Sequence, residues 1–102
     1  MNVVITGGSK GIGFAVAAAF AAERANIYIC AKHQEQLNEA VAELRSKYPM
    51  CNVHAKTVDL SDRAGAELFG SWCLEWGVPD ILVNNAGSFV PGRIYNEHDG
   101  KL

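Results

Sequence analysis

Apolar residues along this chain alternate between two periods. The run NVVIT (2–6) is short and β-branched, and from Gly11 to Arg24 the pattern becomes helical, with Ile12, Val16 and Phe20 at fourfold spacing among alanines. NIYICA (26–31) reads as a second buried strand. A helix near 34–48 follows, its Leu37, Val41, Leu44 and Tyr48 forming one stripe that Pro49 stops. NVHAKTV (52–58) reads as a third strand. Ser61 is placed to cap a third helix running to about Trp76, on which Leu68 and Trp72 share a face, and Gly77 with Pro79 ends it. DILVN (80–84) is the fourth strand.

Strands alternating with helices of this length predict βαβ crossovers and a parallel sheet covered on both faces, the doubly wound α/β class. After Gly87 the pattern loses its period, so residues 1–87 read as one unit and 88–102 as the start of a connection.

Composition narrows the picture. With 102 residues, 49% of them apolar and 20% charged, the chain has the statistics of one soluble globular domain. A net charge of -2 argues against the broad basic surface that nucleic acid or anionic membrane requires. No leader pattern precedes Asn2 and no window approaches a membrane span, so the expected address is the cytoplasm. Cys30, Cys51 and Cys73 have no metal-like spacing and read as reduced, buried thiols. His33, His54 and His98 show no ligand spacing either, and no metal is expected. Trp72 and Trp76, one helical turn apart, are expected to cover the sheet.

The segment with chemistry in it is Thr6-Gly7-Gly8-Ser9-Lys10-Gly11-Ile12-Gly13. A phosphate-binding loop of the P-loop type needs Lys and then Ser or Thr, but Gly13 is followed by Phe14 and Ala15. A G-x-G-x-x-G fingerprint started at Gly11 meets Val16 in its third position. What remains is T-G-x-x-x-G-x-G at a strand-to-helix junction. There Gly7 lets the chain leave the strand tightly, while Gly11 and Gly13 let backbone approach a pyrophosphate at the helix N-terminus.

This octapeptide resembles the cofactor loop of the short-chain dehydrogenase/reductase family, and two further segments agree. Val58-Asp59-Leu60 resembles the family's acidic position that hydrogen-bonds the adenine amino group, and Asn84-Asn85-Ala86-Gly87 matches its N-N-A-G motif. All three lie at the carboxyl ends of predicted strands, where open α/β sheets bind ligands. Taken alone, Asp59 reads better as a turn or helix-capping residue, and Asn84 and Asn85 fit a turn. The resemblance implies a Rossmann-type sheet in strand order 3-2-1-4, the N-terminal cofactor-binding half of a longer protein. It implies cofactor contacts at Gly7, Ser9, Lys10, Gly11, Ile12, Gly13, Lys32, Asp59, Leu60, Asn85, Ala86 and Gly87, and a structural, strand-bracing role for Asn84.

Cofactor choice turns on the end of the second strand. An NAD site places Asp or Glu there to accept from the ribose 2′-OH, but this stretch reads Cys30-Ala31-Lys32-His33. Lys32, with Lys10 in the glycine loop, offers positive charge to a 2′-phosphate, so NADP(H) is expected over NAD(H).

The resemblance implies hydride transfer between the nicotinamide cofactor and a small carbonyl or alcohol substrate. The family's catalytic Ser and Tyr-x-x-x-Lys would fall beyond Leu102, so no catalytic residue is expected within these residues. Tyr28 and Lys32 have the right separation but lie on a predicted strand, where four residues span about 13 Å; Tyr95 is followed four residues later by Asp99. DILVN would form an open apolar edge, where exposed edges usually carry charge or Pro. The expectation is therefore an N-terminal portion of an enzyme that is a homo-oligomer at full length. The competing expectation is a catalytically inactive nucleotide-binding or partner-binding fragment.

Overall fold

The computed structural model describes residues 1–85. The elements are β1 (Asn2–Thr6), α1 (Gly11–Ala22), β2 (Asn26–Ala31), α2 (Gln34–Lys47), β3 (Val53–Thr57), α3 (Arg63–Leu74) and β4 (Ile81–Asn84). All four strands pair in parallel in the order β3-β2-β1-β4. Fold class and strand order are those expected; the connection from 88 to 102 lies outside the described residues.

Successive side chains on a strand face opposite ways, so each strand feeds two cores. Val3, Ile5, Ile27, Ile29 and Val53 cluster with Ala17 and Ala21 of α1 and Leu37 and Leu44 of α2. Val4, Tyr28 and Cys30 cluster on the other side with Phe69 and Cys73 of α3. Strands buried on both faces explain the nearly unbroken apolar runs.

The stripe expected on α2 is the one observed, with Leu37, Val41 and Leu44 buried and Tyr48 packed at its margin. On α1 it is displaced by one residue. Gly13, Ala17 and Ala21 face the sheet, Val16 and Phe20 are half-buried, and Ile12 is 75% exposed. Small residues win the inner row because they bring the helix close to the strands, a contact that an apolar-residue count does not anticipate.

The same displacement occurs on α3, where Phe69 and Cys73 are buried and Leu68 is 58% exposed. Nor is Ser61 the cap of this helix: Asp62 occupies that position and its side chain accepts from the Ala64 N–H at 3.4 Å. Ser61 is instead engaged by Asp59, two residues before it.

Trp72 and Trp76 do cover the sheet. Trp76 stacks on His54 at 4.1 Å between ring centroids, His54 stacks on Tyr28 at 5.0 Å, and Trp72 meets Tyr28 edge-on at 6.2 Å. Burial within this stack, with Arg45 nearby, holds the His54 imidazole below its ordinary value of 6.5. Tyr28 is thus a core aromatic, while Lys32 is exposed, and the two do not form a reactive pair.

All three cysteines are buried and free. Burial pushes Cys30 up to about 11 and Cys73 up to about 12, so both are neutral, inert thiols at physiological pH. Cys51 is raised for the same reason, and its Sγ donates to the Ala25 carbonyl at 2.8 Å.

Candidate nucleotide-binding site

The carboxyl ends of β1, β2, β3 and β4 lie along one edge of the parallel sheet, and with them the glycine loop, Lys32, Asp59, Asn84 and Asn85. The chain leaves β1 through Gly7 at φ 68, a left-handed conformation that favours glycine. Gly7 and Gly8 both donate their N–H groups to the Cys30 carbonyl, at 3.0 and 3.2 Å, which ties the glycine loop to the end of β2. A side chain at Gly8 would begin 2.8 Å from Ile29 Cγ2, so the loop lies flat on that strand.

Gly11 and Gly13 do different work. Gly11 has φ 65, and nothing lies within 4 Å of where its Cβ would be, leaving open space at the start of α1. Gly13 is buried, and a Cβ there would overlap the Gly7 carbonyl oxygen and lie 2.9 Å from Asn85 Nδ2. Its absent side chain allows close helix-to-loop packing, a role the sequence reading did not give it beside the expected approach to a phosphate.

Lys10 occupies the N-cap of α1 in extended conformation, with no side-chain cap and no acid in the first turn. The leading N–H groups of a helix have no intrahelical partner, and the helix dipole adds positive potential, so an uncapped N-terminus beside a lysine suits an anion. Ser9 is half-buried beside it.

At the end of β2, Ala31 is buried, and its carbonyl accepts from the Val58 N–H at 3.0 Å, continuing the pairing past β3. Lys32 Nζ then stands 3.9 Å from Asp59 Oδ2, a pairing that the sequence reading did not foresee. Asp59 Oδ1 accepts from the Ser61 backbone N–H at 3.0 Å and from the Ser61 hydroxyl at 2.6 Å. These bonds, and after them Lys32, hold the Asp59 carboxyl below the usual aspartate range, so it is a carboxylate at neutral pH. The Asp59 carbonyl accepts from the Asp62 N–H at 3.2 Å and lies so close to Gly65 that a Cβ there would collide with it. Leu60 packs half-buried against the α3-side core.

The end of β4 is tied to the end of β1, and the residue after it to the glycine loop. Thr6 and Asn84 are register partners, and the Thr6 hydroxyl donates to Asn84 Oδ1 at 3.2 Å. Asn85 Nδ2 donates to the Gly7 carbonyl at 3.3 Å. Ala86 and Gly87 lie outside the described residues.

Sequence reasoning gave no packing role to Gly8 or Gly65 and read Ser61 as a helix cap. A glycine inside the first turns of a helix is unfavourable for propensity alone, and that was the available signal for Gly65. A serine two residues after an aspartate is the signature of a side-chain turn, which was the signal for Ser61. Among the described residues no group of three or more His, Cys, Asp or Glu side chains is arranged to hold a metal, and no helix is long and apolar enough to cross a membrane. A groove of about 560 Å³ between α2 and β3, lined by Gln34, Arg45, Lys56 and others, includes no glycine-loop residue.

A parallel sheet in this order, whose first strand turns through glycines into an uncapped helix, is a Rossmann-like α/β architecture. The chain belongs to the short chain dehydrogenase family, whose model matches residues 1–100. It is 35% identical over 94 residues to a 3alpha-hydroxysteroid dehydrogenase from Mediterraneibacter gnavus, covering 91% of this chain and 38% of that protein. It is 44% identical over 88 residues to an L-rhamnose 1-dehydrogenase (NADP(+)) from Thermoplasma acidophilum, covering 84% of this chain and 34% of that one. Among solved structures, the L-sorbose reductase of Gluconobacter frateurii complexed with NADPH and L-sorbose superposes with a TM-score of 0.79 at 37% identity, over 98% of this chain and 38% of the reductase. An NADPH-bound short chain oxidoreductase from Pseudomonas aeruginosa gives a TM-score of 0.80 at 36% identity, over 84% of this chain and 34% of that chain. The chain thus spans little more than a third of the length of each of these relatives, which are oxidoreductases by name.

Proposed function

We propose that residues 1–87 are the cofactor-binding portion of an NADP(H)-dependent oxidoreductase that acts on a small carbonyl or alcohol. The observation that carries the reading is the end of β2. It holds no acid to accept from a ribose 2′-OH, and it presents an exposed lysine next to the glycine loop. The cofactor supplies or takes up the hydride. Gly7, Gly11 and the N-terminus of α1 receive its pyrophosphate; Ser9, Lys10 and Lys32 meet the 2′-phosphate; Asp59 accepts from the adenine amino group, with Ile12 and Leu60 as apolar neighbours. Asn84 braces β4, and Asn85, Ala86 and Gly87 border the nicotinamide side. NADPH-bound relatives support the cofactor named here. The intact protein on this reading is a cytoplasmic homo-oligomer whose catalytic groups follow residue 102.

The test is a pair of fluorescence titrations of the intact protein with NADPH and NADH. A charge-assisted contact to the 2′-phosphate is worth on the order of ten- to a hundredfold in affinity. NADPH is expected to bind tighter by about that factor, and Lys32→Asp to narrow or reverse the gap. Equal dissociation constants in the wild type would refute the cofactor assignment.

A further inference from the structure

Among the described residues, the Asp59 carboxylate accepts hydrogen bonds through one of its two oxygens. Two donors from a single residue, the Ser61 N–H and hydroxyl, engage Oδ1, while Oδ2 is the atom that stands 3.9 Å from Lys32 Nζ. Because hydrogen bonds to a carboxyl oxygen prefer its lone-pair directions, two on one oxygen fix the plane of the group. The backbone beneath it is fixed as well, by the Asp62 N–H on the Asp59 carbonyl and by the packing of that carbonyl against Gly65.

Lys32 lies one residue past the end of β2, and among the described residues no hydrogen bond holds its side chain. Its side chain is 64% exposed, and a lysine ammonium on a four-carbon stem samples many positions in water. An exposed pair at this distance adds little to stability. Its effect is to restrict where the ammonium goes, and ordering a side chain before a ligand arrives removes part of the entropy lost on binding.

Resting on the reading that Lys32 meets a 2′-phosphate, we infer that Ser61 is a positioning residue for cofactor selection. By holding one oxygen of Asp59 it keeps the other turned to Lys32, and through that carboxylate it holds the lysine at the end of β2 beside the glycine loop. Ser61 acts through Asp59 and Lys32 and touches no cofactor itself.

The experiment is a double-mutant cycle on the intact protein, reading the ratio of NADH to NADPH dissociation constants for wild type, Ser61→Ala, Ser61→Thr, Lys32→Ala and Ser61→Ala/Lys32→Ala. Ser61→Ala is expected to reduce the NADPH preference by about two- to fivefold, Ser61→Thr to retain most of it, and Ser61→Ala to leave the ratio unchanged once Lys32 is alanine. A Ser61→Ala protein that binds both cofactors equally more weakly, or that shifts the ratio as much without Lys32, overturns the inference. So does a wild-type preference that Lys32→Ala removes and Ser61→Ala leaves intact, an outcome under which the reading of Lys32 still stands. Equal wild-type affinities overturn both together.

Discussion

Replacing Gly13 with alanine sets two physical effects against each other, and the sign of the result decides between them. Gly13 lies in α1, and alanine is the better helix former by about 1 kcal/mol, so local propensity alone predicts a more stable protein. The added methyl, however, would overlap the Gly7 carbonyl oxygen, approach the Gly7 carbonyl carbon to 3.0 Å and reach 2.9 Å from Asn85 Nδ2. Two of these atoms belong to backbone that is itself bonded to β2, so neither can rotate away as a flexible side chain would. Overpacking of this kind costs about 1–3 kcal/mol, and displacing Asn85 from Gly7 forfeits a hydrogen bond worth about 0.5–1.5 kcal/mol. Against the propensity gain, the expected net loss is about 2 kcal/mol. Urea unfolding of the intact protein, followed by tryptophan fluorescence, measures it as a lower midpoint at unchanged slope. Gly13→Ala should also couple with Asn85→Ala, the double variant losing less than the two singles together. A Gly13→Ala protein as stable as the wild type, or more so, would refute the packing role given to this residue.

Other consequences can be checked in the same preparations. Arg24 closes α1 with φ 65, a left-handed conformation that costs a side-chain-bearing residue about 1 kcal/mol, so Arg24→Gly should raise the melting temperature by a few degrees; a lower melting temperature would contradict this. His54 is harder to protonate in its stack than in the unfolded chain, so the unfolded state takes up the proton first as pH falls through about 6.5. Stability from this group is complete above that pH and is lost below it, until the folded imidazole also protonates. Subtracting the profile of His54→Phe from that of the wild type should isolate this decline, and a flat difference would show that His54 does not contribute it.

The fold was legible because β1, β2 and β4 have almost no polar interruption, β3 alternates, and helix-period stretches of similar length separate them. The strand order came with the family resemblance. Helix facing was legible only where large residues carry it. Leu37, Val41 and Leu44 mark the inner row of α2 openly, whereas the inner row of α1 is Gly13, Ala17 and Ala21, which a search for bulk passes over in favour of Ile12. The site segments were found as separate motifs, and their mutual contacts were not. Asn85 on Gly7, Lys32 beside Asp59, and Gly65 beneath the Asp59 backbone each join residues distant or unremarked in sequence, and no local pattern encodes which partner a side chain will meet.

The bond between the Thr6 hydroxyl and Asn84 spans 78 residues of chain, as does that between Asn85 and Gly7. Both therefore form only after the chain between them has closed on itself, and contacts of such long sequence separation are slow to form because loop closure precedes their reward. During synthesis the glycine loop emerges first, yet it has no partner for the Gly7 carbonyl until β4 has followed it. The crevice is thus a late product of folding, and a ligand that needs it whole binds only chains that have finished this part of the sheet. A ligand that binds only the completed crevice shifts the population toward it by mass action.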